Sequence, residues 1–137
     1  PCDHGSGDLV TEHFYRLVQL TDQASGVVFK SDTEQSVFYL VGDSIYYAGV
    51  VDTIQKHSPD VIAVNAAGAQ APRGHALIMN EYDIWALMND FPHLKVIATH
   101  VEGVSHATVT RHSLREFAKD KKLNQLYIPD DGVTLTF

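Results

Sequence analysis

The chain has 137 residues, a length typical of one domain, with 45% hydrophobic and 20% charged residues, as in ordinary globular proteins. A formal net charge of −7 that is not clustered in a tail argues against binding to nucleic acid or acidic membranes, which requires a basic surface. No apolar run approaches the roughly 20 residues of a membrane-spanning helix, and the single cysteine excludes an internal disulfide, so we expect a cytoplasmic protein.

Predicted strands and helices alternate along the chain. The runs GVVFK and SVFYLV, separated by SDTEQ, predict a hairpin over residues 26–30 and 36–41. Apolar runs and helical spacing then predict, in order, a helix, strand, helix, strand and helix over residues 46–57, 60–65, 81–91, 94–99 and 111–122. Ser58-Pro59 is expected to end the first of these helices, and Asn80 to cap the second.

The end of the chain predicts a second hairpin. Residues 125–128 and 133–137 flank the turn sequence PDDG. Trp85 and Met88, three residues apart on one predicted helix, are expected in the core. The whole order indicates an α/β protein with a layered sheet, in which ligands gather at the carboxyl ends of the strands.

Polar residues follow three of the predicted strands directly: Asp43 follows YLVG, Asn65 follows VIAV and His100 follows VIAT. An aspartate at such a point either bridges two cations or caps the next helix. A histidine there is either a metal ligand or a hydrogen-bonded residue at the edge of the core. An Asp, an Asn and a His at the carboxyl ends of three strands lie along one edge of the sheet, and such an arrangement is typical of a ligand-binding site.

Other residues have two or three interpretations each. Asn65 orients a ligand, donates to substrate, or bonds its own backbone. Arg111 binds a substrate phosphate with its planar fork of donors, or simply starts the last helix. His106 is a second ligand, a proton carrier or a solvent-exposed residue. The eight histidines hint at metal chemistry, and surface positions alone also account for them.

Four segments together resemble a known superfamily. HG at positions 4–5, YLVGDS at 39–44, PDVIAVNAAGAQ at 59–70 and IATHVEGVSHATVTR at 97–111 are similar, in order, to motifs of metallo-β-lactamase-superfamily hydrolases. Among these, the pattern most resembles the branch that contains L-ascorbate-6-phosphate lactonase. The resemblance implies half of an αββα sandwich, with residues 1–137 as the carboxyl-terminal half, because the superfamily's H-x-H-x-D-H motif does not occur in the sequence.

The resemblance also implies roles for individual residues. His4 would bind the first metal, Asp43 would bridge both metals, and His100 would complete the second. Beyond the resemblance, we expect from residue chemistry that Asp43 and His106 take part in catalysis and that Asn65 and Arg111 bind substrate. The metals would be two Zn²⁺ or Mn²⁺ ions, and a hydroxide between them would attack the substrate.

Two functions are compatible with these features. The first is a metal-dependent hydrolase of a small lactone, ester or phosphorylated sugar-like molecule, with the isolated chain inactive without its upstream half. The second is a truncated, non-catalytic scaffold that serves as a binding or assembly module. Either one predicts association with a complementary amino-terminal half or with a second copy, because one face of the sheet would otherwise stay uncovered.

Overall fold

A computed structural model describes residues 25–70 and 76–137 of the chain. These residues form β1 (Val27–Phe29), β2 (Phe38–Gly42), α1 (Ala48–His57), β3 (Val61–Asn65), α2 (Glu81–Asp90), β4 (Lys95–Thr99), α3 (Arg111–Lys121) and β5 (Leu126–Tyr127). The predicted α/β class and the predicted first hairpin are confirmed. No helix within these ranges is long and apolar enough to cross a membrane.

The five strands form one sheet in the order β1-β2-β3-β4-β5. β1 pairs antiparallel with β2, and each later strand pairs parallel with the one before it. The connections between parallel neighbours contain α1, α2 and α3 in turn. Because such crossovers are almost always right-handed, a sheet that grows in one direction receives all of its helices on the same face.

The helix ends follow from local chemistry. α2 begins with a capping box in which the Asn80 side chain accepts from the Asp83 backbone and the Asp83 carboxylate accepts from the Asn80 backbone. Thr110 and Ser113 form the same motif at the start of α3. α1 ends at Ser58, whose left-handed backbone closes the helix. The predicted cap and stop signals are therefore confirmed.

The core lies between the three helices and one face of the sheet. Alternate strand residues and the inward side chains of all three helices form a single buried cluster, which includes Tyr39, Val41, Val50, Ile54, Ile62, Val64, Ile84, Leu87, Val96, Ala98 and Leu114. Period-two alternation in the strands and 3.6-residue periodicity in the helices place these side chains together. Met88 belongs to the same cluster, as predicted.

The opposite face of the sheet is apolar and partly open. Val27, Phe29 and Leu40 point to this face by their register and are 46%, 52% and 38% exposed. The central strand β3 is still covered there, because its short side chains Val61 and Ala63 are flanked by larger neighbours and are 5% and 3% exposed. We refer to Val27, Phe29, Phe38, Leu40 and Ile97 as the open face.

Two predictions about the fold are wrong. The closing hairpin is absent from the described residues: β5 pairs parallel with β4, and residues 133–137 form no strand. Tyr127 meets the ring of Phe137 edge-on instead. Trp85 is not in the core but 39% exposed, with the Lys121 ammonium group 5.6 Å from its ring centre. Amphipathic spacing placed Trp85 on the inner side, yet its ring lies at the border between α2 and α3.

Substitution of Gly68 by alanine is expected to lower the free energy of unfolding by about 3 kcal/mol. Gly68 has φ +59°, and a Cβ atom there would lie 2.7 Å from both Thr108 Oγ1 and Val109 Cγ2. Gly132 is a matched control, because it also has a positive φ (+81°) but nothing lies within 4 Å of its Cβ position. Urea unfolding of both variants should show a cost of only about 1 kcal/mol for Gly132→Ala. Equal costs would mean that the contact at Gly68 relaxes freely.

Candidate functional site

A bulge in β2 aligns three polar residues across the sheet. Leu40 pairs with Ala63, but the next pair is Gly42 with Val64, so one extra residue is inserted in β2. Gly42 has φ +75°, a conformation that glycine adopts without strain. After this shift Asp43 lies level with Asn65, and Asn65 pairs with Thr99 of β4. Asp43, Asn65 and Thr99 therefore form a row across the carboxyl ends of three adjacent parallel strands.

Hydrogen bonds connect this row. The Asn65 Nδ2 group donates to Asp43 Oδ1 over 2.5 Å, and the Thr99 hydroxyl donates to Asn65 Oδ1 over 2.8 Å. The Thr99 oxygen also lies 3.1 Å from the Val64 carbonyl oxygen. Because Thr99 donates to the amide oxygen, the amide nitrogen is directed to the carboxylate. The structure therefore brings Asp43 and Asn65, two of the predicted site residues, into direct contact.

Strand alternation places this row on the open side of the sheet. Asn65 follows Val61 and Ala63 at steps of two residues, and Thr99 follows Ile97 in the same way. The apolar open face and the polar row are therefore continuous. Whatever covers the open face also lies beside Asp43.

His100 follows the row directly. Its backbone is left-handed, with φ 56°, and its side chain is exposed. A Cβ atom on Gly103 would lie only 3.1 Å from His100 Nδ1, so the imidazole ring borders the space that a side chain at position 103 would take. The strand register brings His100 to the same edge as Asp43, two strands away.

The other predicted site residues lie at different positions. His106 is exposed in the loop between β4 and α3. Arg111 is the first residue of α3, and its guanidinium group contacts Glu102, Asp131 and the Pro129 carbonyl oxygen. His4 lies outside the described residues. The substrate-binding roles of Asn65 and Arg111 and the catalytic role of His106 stay predictions.

Tyr46, three residues after Asp43, is held away from acid–base chemistry. Its hydroxyl donates to Asp90 Oδ2 over 2.7 Å at the end of α2. Burial raises the pKa of the Tyr46 phenol well above its ordinary value, and the neighbouring Asp90 carboxylate adds to the shift. Tyr46 is therefore neutral at physiological pH and ties the loop after Asp43 to α2.

Within residues 25–70 and 76–137, no three His, Cys, Asp or Glu side chains converge closely enough to hold a metal ion. Asp43 and His100 thus stand at separate strand ends and do not form a complete ligand set with the other described residues. Sequence reasoning missed Glu102 and Thr99, which contact predicted site residues. Both stand inside the quoted motif IATHVEGVSH, next to or near His100, and that position was the available signal.

Comparison with known proteins shows which sequences this chain resembles. No family profile matches the chain. A protein of Bacillus subtilis (strain 168), UPF0173 protein YddR, is 35% identical over 136 residues, which are 98% of this chain and 50% of the relative. The chain therefore spans about half the length of the curated relative that it matches.

Solved structures also match the chain. The crystal structure of an isothiocyanate hydrolase from Delia radicum gut bacteria is 27% identical with a TM-score of 0.88, over 99% of this chain and 52% of that protein. A possible metal-dependent hydrolase from Veillonella parvula DSM 2008 is 31% identical with a TM-score of 0.83, over 93% of this chain and 50% of that protein. The chain thus shares the fold of about half of each hydrolase, and these matches support a metallo-β-lactamase-like fold.

Proposed function

We propose that this chain forms the carboxyl-terminal half of a metal-dependent hydrolase and contributes Asp43 and His100 to its metal site. The observation that supports it most is the row of Asp43, Asn65 and Thr99 at the carboxyl ends of β2, β3 and β4, with His100 directly after it. Likeness to two proteins described as hydrolases adds weight. The ligands that are missing here would come from the half of the relatives that the chain does not cover.

The donor groups fit a divalent metal of intermediate hardness. A carboxylate and an imidazole suit Zn²⁺ or Mn²⁺ better than an ion that prefers sulfur ligands. Asp43 is half-buried, and its Oδ1 atom already accepts a charge-assisted hydrogen bond from Asn65, which holds the carboxylate in one orientation. His4 is proposed as a further ligand on the resemblance alone.

The chain's own residues would act by position and charge. When bound, divalent metal ions supply Lewis acidity and lower the pKa of water toward neutrality. Asp43 would hold the cations close together, Asn65 would keep Asp43 in place, and Thr99 would keep the Asn65 amide correctly turned. His106, exposed in the loop after His100, is proposed to carry protons or to orient substrate.

Two substrate classes follow from different observations. The resemblance favours a small lactone, an ester or a phosphorylated sugar-like molecule. The isothiocyanate hydrolase, with its TM-score of 0.88, favours an isothiocyanate. All of these offer an electrophilic centre to activated water. The alternative function, a non-catalytic scaffold half, is favoured by the incomplete ligand set among the described residues.

Metal content and hydrolysis distinguish these functions. We expect the isolated chain to retain much less than one Zn²⁺ or Mn²⁺ per molecule after dialysis, because each ion lacks most of its ligands. When the chain is joined to the half of the Bacillus subtilis relative that the match leaves uncovered, the joined protein should retain two metal ions per molecule. It should also hydrolyse a sugar-phosphate lactone or an isothiocyanate. The Bacillus protein produced as the same two halves controls for the division.

Tight binding of two metals by the isolated chain would contradict the proposed ligand set. A folded joined protein that binds no metal, while the divided Bacillus protein does, would favour the scaffold alternative. Hydrolysis of only one of the two substrates would identify the substrate class. The joined form is called the complemented protein below.

A further inference from the structure

The loop that follows β4 carries His100 in an unfavourable backbone conformation. His100 and Glu102 have φ values of 56° and 63°, and neither is a glycine. Left-handed backbone is costly for residues with a Cβ atom, so two such residues within one loop persist only when other contacts hold them. At its far end the loop is held by the Thr108 and Val109 amides, which both donate to the Ala67 carbonyl oxygen.

At its near end the loop is held by Glu102. Glu102 Oε1 accepts from the Arg111 backbone N–H over 3.1 Å, and Glu102 Oε2 accepts from Arg111 Nη1 over 2.9 Å. Both carboxylate oxygens are therefore bound by a single residue. The carboxylate also lies at the first turn of α3, where the helix dipole favours negative charge.

Arg111 extends the same network to the end of the chain. Its Nε atom donates to the Pro129 carbonyl oxygen over 3.3 Å, and its Nη2 atom contacts the Asp131 carboxylate. All three guanidinium nitrogens thus have partners within the chain, and the side chain is only 20% exposed. A guanidinium engaged in this way offers a substrate phosphate little of its planar fork.

We propose that Arg111 and Glu102 are positioning residues for His100. The pair fixes the left-handed turn after β4, and that turn sets where the His100 ring lies, because His100 is itself part of the turn and its ring borders the space beside Gly103. This inference rests on the proposed function for the metal-binding role of His100. It replaces the role in substrate binding that the planar donor fork of Arg111 suggested from the sequence.

Arg115 provides a matched control on the same helix. Its Nη2 atom donates to the Ile128 carbonyl oxygen over 3.0 Å and to Asp130 Oδ1 over 2.7 Å. This contact lowers the pKa of the exposed Asp130 carboxyl below its usual range. Arg115 therefore also ties α3 to the segment after β5, but neither of these hydrogen bonds reaches the loop that carries His100.

The first measurement is hydrogen–deuterium exchange of the chain, followed by mass spectrometry. Peptides covering residues 100–110 should exchange at least about tenfold faster in Arg111→Ala and Glu102→Ala than in the unchanged chain. Arg115→Ala should accelerate exchange only around residues 128–131. Arg111→Lys, which keeps the charge but not the fork, should fall between the two. Equal exchange of residues 100–110 in Arg111→Ala and Arg115→Ala would overturn the proposal.

The second measurement is metal content and kinetics of the complemented protein. Arg111→Ala and Glu102→Ala should lose one of two metals and lower kcat at least about tenfold, while Arg115→Ala keeps both metals. If Arg111→Ala instead keeps both metals and raises only KM for a phosphorylated substrate, Arg111 binds substrate and the proposal is wrong. Absence of metal in the unchanged complemented protein would count against the proposed function. The exchange data test the positioning role of Arg111 and Glu102 separately.

Discussion

Substitution of Asp43 by asparagine in the complemented protein is expected to lower hydrolysis by about three to four orders of magnitude, a barrier increase of about 4–5.5 kcal/mol. Asparagine keeps the shape of the side chain, and its oxygen can still accept the Asn65 hydrogen bond that Asp43 accepts over 2.5 Å. The fold should therefore survive. What disappears is the negative charge that, in the proposed metal site, would allow two cations to lie close together.

Metal analysis and kinetics should be measured together on three variants. His100→Ala should resemble Asp43→Asn, because it removes the proposed ligand of the second metal. His106→Ala should lower turnover without loss of metal, since its side chain lies exposed in the loop beyond His100. If Asp43→Asn keeps both metals and near-full activity, Asp43 is only a polar residue at the end of β2, and the dinuclear interpretation of YLVGDS is wrong.

The isolated chain is expected to associate through the open face. Val27, Phe29 and Leu40 expose 46%, 52% and 38% of their surface on one side of the sheet, and contiguous apolar surface of this kind drives association. Changing Phe29 and Leu40 to lysine should shift the chain toward a monomer by at least about tenfold in dissociation constant, because two charges would have to be desolvated in any face-to-face contact.

Analytical ultracentrifugation over a range of concentrations measures this effect. Tyr82→Lys is the matched control: Tyr82 is 61% exposed, but it lies on α2, on the helical side of the sheet. It should leave association unchanged. A concentration-independent monomer with a sharp two-state melt would count against association, and an effect of Tyr82→Lys equal to that of the double variant would move the contact to the helices.

Strong local patterns predicted most of the fold. The apolar runs of β2, β3 and β4 are followed directly by polar residues, and Asn80 and Ser58 mark helix ends by their own chemistry. β5 was predicted as part of a hairpin, because PDDG is a good turn sequence. Instead Leu126 and Tyr127 pair with the free edge of β4, and arginines of α3 bind the turn residues.

The site was harder to predict, because its geometry depends on long-range register. Asp43 lies beside Asn65 because a bulge inserts one residue between Leu40 and Gly42. A single glycine in a strand pattern does not show in which direction the register shifts. Arg111 binds Glu102, which is nine residues away in the sequence, and Asp131, which is 20 residues away. Residue type alone could not distinguish an arginine that binds substrate from one that binds its own chain.

The strictly sequential strand order has a consequence for how the sheet forms. Within the part of the chain that the structure describes, each strand from β2 to β5 pairs with the strand that precedes it, so none of these pairings waits for a segment made much later. The sheet can therefore grow in the direction of synthesis, one strand and one helix at a time, with short loop closures at each step. The row at Asp43, Asn65 and Thr99 is complete as soon as β4 has paired. The network of Glu102, Arg111 and Asp131 is completed last, because Asp131 leaves the ribosome after α3 and β5.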